Sequence, residues 1–177
     1  MGAPVTPDEA PVPVAVVDDH PLFRSAVVAA FEGVTDMTVA MECGSVEELE
    51  ARLDAAPDAV KVVLLDLSLP GCDGLSAAFR MREVGAMCDV PIVACTAHDA
   101  ALHRGAALAA GCDEYLTKPL DMGRLKEVVG RLLAERSEGA RKGAAEARAR
   151  RIASARLDDE GLRDYLEGLM ERNGAPE

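Results

Sequence analysis

Four short stretches of this chain carry side chains able to do chemistry. They are the acid pair Asp18-Asp19, the single acid Asp66, the hydroxyl of Thr96, and the run Tyr115-Leu116-Thr117-Lys118-Pro119. Each stretch closes an expected strand. Val62-Val63-Leu64-Leu65 leads straight into Asp66 and then into the turn-rich Leu67-Ser68-Leu69-Pro70-Gly71-Cys72-Asp73-Gly74. The apolar run is continuous, not alternating, as expected of a strand buried on both faces of a parallel sheet. A carboxylate in the middle of such a strand would be desolvated at large cost. At the C-terminal end it can face a crevice, where open α/β sheets bind ligands. Alone, Asp66 would read as a turn cap, Asp18-Asp19 as a helix cap, Thr96 as a strand end and Lys118 as a solvated charge. Their joint occurrence at four strand ends points to a site.

In a parallel sheet every strand ends on the same edge, so these residues converge without further assumption. Three carboxylates in one crevice repel one another. Two unit charges about 4 Å apart cost about 4 kcal/mol at an effective dielectric of about 20. A positive group must sit among them. Mg²⁺ suits a site of oxygen donors with few protein ligands and several waters. Lys118 adds a fixed ammonium. A carboxylate, a hydroxyl, a lysine and a divalent cation together suit phosphoryl chemistry. The carboxylate acts as nucleophile and forms an acyl phosphate, and the positive groups neutralise the phosphoryl oxygens.

The elements that must hold these residues follow one another in a regular order. Strands are expected at Val12–Val17, Met37–Met41, Val60–Asp66, Pro91–Thr96 and Cys112–Thr117. Helices are expected after each. The first opens at His20-Pro21, where a proline costs no hydrogen bond, and shows Leu22, Phe23, Ala26, Val27, Ala30 and Phe31 as one apolar face. The second starts at Ser45 with Glu48 three residues on, a capping-box pattern. The third spans Gly74–Glu83, with Leu75, Ala78, Phe79 and Arg82 in register. The fourth, Asp99–Ala110, is Ala-rich and buries little area, so it should be loosely held. The fifth carries Met122, Leu125, Val128, Val129, Leu132 and Leu133. Five strand–helix alternations demand an α/β fold, a doubly wound parallel sheet with right-handed crossovers.

The chain has 177 residues, 49% hydrophobic but only 3% aromatic with no Trp, so Ala, Val, Leu and Met must build the core. A formal net charge of −12 opposes general binding to nucleic acid or anionic membrane. No apolar stretch is long enough to span a bilayer. Residues 1–11 read as a disordered, Pro-rich lead without signal-peptide character, which places the protein in the cytoplasm. Cys43, Cys72, Cys88, Cys95 and Cys112 are odd in number and lack CxxC spacing, so reduced, buried thiols are expected. From 136 to 177 a basic, Ala-rich segment is followed by an acidic one bearing Leu162, Tyr165, Leu166, Leu169 and Met170 as a stripe. It reads as a helical extension.

Four motifs, VVDDHPLFR, LLDLSLPGCDG, CTAHD and GCDEYLTKP, in this order and spacing resemble the receiver domains of two-component response regulators. The resemblance covers residues 12–135. It implies a five-stranded flavodoxin-like sheet in the order 2-1-3-4-5. It also implies that Asp66 takes a phosphoryl group from a histidine kinase or phosphotransfer protein, with Mg²⁺ as cofactor. By the same resemblance Asp19 and Asp66 ligate Mg²⁺ directly, Asp18 acts through water, and the Ser68 carbonyl is the third protein ligand. Thr96 and Lys118 hold the phosphate, and Tyr115 swings inward to alter the surface of the fourth helix, fifth strand and fifth helix, a possible homodimer face. Ser68 and His98 occupy the positions that tune acyl-phosphate lifetime. His98 is otherwise a surface histidine, as are His20 and His103.

Other readings differ at named residues. A haloacid-dehalogenase-type phosphohydrolase would need a second acid two residues after the nucleophile, where Ser68 stands. A receiver-like scaffold that is never phosphorylated would not need the full acid pocket. The chain is therefore expected to be a phosphoacceptor rather than an enzyme. Residues 136–177 are short for a DNA-binding helix-turn-helix, so a stand-alone receiver with a downstream protein target is expected.

Overall fold

The computed structural model describes residues 10–69, 74–83, 87, 89–97 and 101–136. Residues 1–9, 70–73 with Cys72, Cys88, His98, the side chain of His103 and residues 137–177 lie outside them, and so do the expectations placed there.

Five strands and five helices alternate: β1 (Val12–Val17), α1 (Pro21–Phe31), β2 (Met37–Cys43), α2 (Val46–Ala55), β3 (Val62–Asp66), α3 (Gly74–Glu83), β4 (Ile92–Thr96), α4 (Ala101–Ala109), β5 (Glu114–Thr117) and α5 (Met122–Ala134). The sheet order is β2-β1-β3-β4-β5 and every pair is parallel. This is the expected doubly wound arrangement. β3 and β4 are each buried at all five positions, which explains their unbroken apolar runs.

The period of two along each strand separates two cores. Val14 and Val16, Val62 and Leu64, and Val93 and Cys95 pack with Val27 and Phe31 of α1 and Leu125, Val128, Val129 and Leu132 of α5. Ala15 and Val17, Val63 and Leu65, and Ile92 and Ala94 pack with α2, α3 and α4. The same parity carries Asp18, Asp66 and Lys118 to the α1/α5 side. Tyr115 packs against the opposite core.

Two expected apolar faces need correction. On α1, Val27 and Phe31 are buried, but Leu22 is 87% exposed and Ala26 and Ala30 face solvent. On α3, Met81 is buried and Phe79 is 58% exposed. The inward stripe is narrower than the apolar pattern because a small sheet covers only part of each helix. Ala106, Ala107 and Leu108 of α4 are buried. Ser45 Oγ accepts from the Glu48 N–H at 3.2 Å, while Glu48 Oε2 accepts from the Gly44 N–H at 2.8 Å. That is the capping box with its return bond displaced by one residue. Cys43, Cys95 and Cys112 are buried free thiols. Burial pushes Cys43 up to about 11 and Cys95 up to about 12, so neither is a nucleophile at neutral pH. Among the described residues, no helix is long and apolar enough to cross a membrane.

Candidate functional site

The strand ends meet as the topology requires. Asp66 closes β3 opposite Cys95 of β4, and Thr96 closes β4 opposite Thr117 of β5. The ladder runs on past both ends: Leu67 N–H donates to the Cys95 carbonyl at 3.1 Å, and Lys118 N–H to the Thr96 carbonyl at 2.7 Å. These bonds fix the backbones of Asp66 and Lys118 on one edge. The α3 helix starts hard against this point. A Cβ added to Gly74 would lie 2.4 Å from Leu67 Cα and 2.8 Å from the Asp66 carbonyl oxygen, so only glycine fits there.

Lys118 is the centre of charge. Its ammonium lies 2.6 Å from Asp18 Oδ2 and 3.2 Å from Asp66 Oδ1. It also sits 3.8 Å from the centroid of the Phe23 ring, a cation–π contact. Asp18 and Asp66 side chains are each 1% exposed. Asp18 Oδ1 accepts from the His20 backbone N–H at 2.8 Å, so both of its oxygens are engaged. Asp66 Oδ1 accepts from the Ser68 N–H at 3.2 Å. Asp66 Oδ2 is buried with no hydrogen-bond partner. Asp19 Oδ1 is buried in the same condition. His20 Nδ1 lies 2.9 Å from it, a close approach without hydrogen-bond alignment. Arg24 donates to the Asp18 carbonyl at 2.5 Å and holds the start of α1 to the end of β1.

The electrostatics follow from this geometry. Burial raises the Asp66 carboxyl above its usual range, against the lowering effects of the Ser68 N–H and the Lys118 charge, and nearby Asp18 adds to the rise. Burial alone would lower Lys118. Its hydrogen bond to Asp18 and the charges of Asp66 and Asp18 outweigh that and hold it above its ordinary value.

The donor set suits a hard divalent cation. Asp18, Asp19, His20 and Asp66 each offer a ligand atom, all within 4.8 Å of one another. Among the carboxylate oxygens of these residues, Asp66 Oδ2 and Asp19 Oδ1 are buried without hydrogen-bond partners, a costly condition that a cation relieves. Asp18, with both oxygens engaged by the protein, is suited to act through water.

Of the residues singled out in the sequence, Asp18, Asp19, Asp66 and Lys118 come together. Ser68 contributes its backbone to Asp66, and Thr96 is buried on the same edge. Tyr115 is partly buried at the neighbouring strand. Three neighbours were missed: His20, read as a plain surface residue, and Phe23 and Arg24. The signal existed. His20 directly follows the acid pair, and Phe23 and Arg24 stand three and four residues on, one helical turn away. Beside the pocket, α1 and the start of α5 enclose a groove of about 430 Å³ lined by Phe23, Ala26, Ala30, Lys118, Leu120 and Met122.

Comparison with known proteins agrees with this geometry. Residues 14–130 match the family model described as the response regulator receiver domain. Response regulator MprA of Mycobacterium sp. (strain KMS) is 36% identical over 126 residues, covering 70% of this chain and 50% of the relative. The chain thus spans about half the length of the curated relatives it matches. A solved two-component response regulator of the LuxR family from Aurantimonas sp. SI85-9A1 is 25% identical with a TM-score of 0.63, covering 84% of this chain and 100% of that one. The receiver domain of sensor histidine kinase PA1611 from Pseudomonas aeruginosa PAO1, solved with a magnesium ion coordinated in its active site cleft, is 26% identical with a TM-score of 0.57, covering 71% of this chain and 99% of that one. With the family model matched over most of the sheet and the acid pocket at its C-terminal edge, the chain belongs to the response regulator receiver domain family of two-component signalling.

Proposed function

We propose that this chain accepts a phosphoryl group on Asp66 from a histidine kinase or phosphotransfer protein and so switches a protein-binding surface. The observation that carries this reading is the buried Asp66 Oδ2, without a hydrogen-bond partner in a pocket that also holds an ammonium. A carboxylate oxygen of Asp66 attacks phosphorus. The new O–P bond forms as the P–N bond of the donor phosphohistidine breaks, and the departing imidazole takes up a proton. Lys118 is close enough to both acids to turn toward the phosphoryl oxygens as they arrive, and the cation–π contact with Phe23 keeps it in place. The Ser68 N–H orients the carboxylate through its Oδ1.

Asp19 and Asp66 with the Ser68 carbonyl, and Asp18 through water, would hold Mg²⁺, which would supply charge neutralisation on the phosphoryl oxygens. Thr96 then engages one of these oxygens, Tyr115 follows inward, and the α4–β5–α5 surface changes. Ser68 and His98 set the access of hydrolytic water. The groove shared by Phe23 and Lys118 offers the donor protein a seat beside the acceptor oxygen. The output passes to a downstream protein, or to a second copy through α4–β5–α5, in the cytoplasm, where buried free thiols stay reduced. The chain accepts and loses phosphate without turning over a substrate pool.

The test is incubation of the full chain with acetyl phosphate and Mg²⁺. One phosphoryl group should be gained, with none in Asp66→Asn and none after chelation of the metal. Uptake that survives Asp66→Asn, or a complete lack of uptake by the native chain from both acetyl phosphate and a phosphorylated kinase, overturns the reading.

A further inference from the structure

His20 lies in the acid cluster, where its Nδ1 stands at hydrogen-bond distance, 3.2 Å, from Asp18 Oδ1. It is the N-cap residue of α1, with extended φ −86° and ψ 105°, and its side chain makes no capping hydrogen bond. Its backbone is pinned on both sides. The His20 N–H donates to Asp18 Oδ1 at 2.8 Å, and the N–H groups of Phe23 and Arg24 donate to its carbonyl at 3.1 Å each. The ring, 65% exposed, nevertheless turns toward the pocket. Its Nδ1 lies 2.9 Å from Asp19 Oδ1 and 3.2 Å from Asp18 Oδ1. Octahedral bonds of about 2.1 Å place neighbouring donors about 3.0 Å apart. The 2.9 Å ion-pair spacing of Nδ1 and Asp19 Oδ1 has the length of such an edge. The buried Asp66 Oδ2, without a hydrogen-bond partner, belongs to a carboxylate that offers an oxygen to the same cluster.

We propose that His20 is a nitrogen ligand to the cation of this pocket, and that it shifts selectivity from Mg²⁺ toward borderline divalent transition ions such as Mn²⁺, Co²⁺ and Ni²⁺. Carboxylates, carbonyls and water favour Mg²⁺, whereas imidazole favours the later first-row metals. An all-oxygen pocket gains little from the change of ion. A pocket with one imidazole gains a bond that Mg²⁺ uses poorly. Two carboxylate donors with one imidazole form a mixed set that accepts either kind of ion, and His20 sets the balance between them. Because Nδ1 is on the solvent side of the cluster, it replaces one of the waters that Mg²⁺ would retain. This inference rests on the cation-dependent reading of the site given above.

The experiment uses the full chain and the metals alone. Calorimetric titration with Mg²⁺, Mn²⁺ and Co²⁺ gives the Co²⁺/Mg²⁺ affinity ratio, which should fall at least about tenfold in His20→Asn. Electron spin echo modulation of bound Mn²⁺ should show imidazole ¹⁴N in the native chain and lose it in His20→Asn. His20→Ala provides a second variant, with thermal melts to confirm that each is folded. A native Mn²⁺ signal without imidazole nitrogen, one that survives His20→Asn, or an unchanged Co²⁺/Mg²⁺ ratio overturns the assignment of His20 alone, because Mg²⁺ still binds. A native chain that binds none of the three ions overturns the assignment and the cation-dependent function together.

Discussion

The two edges of the sheet each bury an ion pair, and they treat it in opposite ways. At the N-terminal edge, Arg82 of α3 reaches Asp113 just before β5 at 2.6 Å. The guanidinium also donates to the carbonyls of Gly111 at 2.8 Å, Val90 at 2.6 Å and Met87 at 3.3 Å. Asp113 Oδ2 accepts a further N–H from Ile92 at 2.9 Å. Gly111, at φ +105°, makes room, since a Cβ there would lie 2.8 Å from Arg82 Cγ. Charge there is closed off by hydrogen bonds and ties α3, α4 and the starts of β4 and β5 together. At the C-terminal edge, Lys118 serves two acids, and Asp66 Oδ2 and Asp19 Oδ1 are left over. Burial raises Asp66 despite its neighbours. A buried charge with satisfied hydrogen bonds is architecture, and one with a lone pair to spare is equipment for binding.

Breaking the closed edge should have the largest effect on stability. Arg82→Ala strands the Asp113 carboxylate and should cost about 3–5 kcal/mol in chemical denaturation. It should leave phosphate acceptance intact in whatever fraction stays folded. Gly74→Ala attacks the open edge through the backbone. The clash with Leu67 and Asp66 should cost about 1–3 kcal/mol, and it should also slow phosphoryl uptake, because the acceptor itself is displaced.

Asp66→Asn sharpens the contrast, because it should stabilise. The ionised carboxylate is disfavoured in the fold, so its removal should raise stability near pH 7 without metal by about 1 kcal/mol. The sign follows from linkage. A carboxyl raised in the folded state above its ordinary value binds its proton first in the folded protein. The native chain therefore recovers stability as pH falls through the folded value, and the advantage of the variant shrinks toward acid. Thermal melts of both proteins from neutral to acid pH measure this. The smallest effect belongs to the exposed pairs of Arg80 with Glu47 at 3.0 Å and Glu50 at 3.2 Å, which bridge α3 and α2. Arg80→Ala should change stability by only about 0.2–1 kcal/mol.

The open edge was legible in the sequence and the closed edge was not. Each acid of the pocket ends an apolar strand, so a local pattern points to it, and parallel topology brings the ends together. Arg82 and Asp113 are 31 residues apart and share no motif. Arg82 looked like one more position in the register of α3. Leu22 and Phe79 fitted apolar faces and proved exposed, because periodicity shows that a helix has a face but not how wide the sheet beneath it is. His20 was passed over because a lone histidine beside acids has no period at all.

The central claim is that Asp66, and no other acid of the pocket, takes the phosphoryl group. The most direct measurement is to phosphorylate the full chain, trap the acyl phosphate by reduction with borohydride, and locate the modified residue by peptide mass spectrometry. The reduced residue should be Asp66, with Asp18 and Asp19 unmodified. A label found at Asp18 or Asp19, or a chain that takes up phosphate with Asp66 untouched, would contradict it.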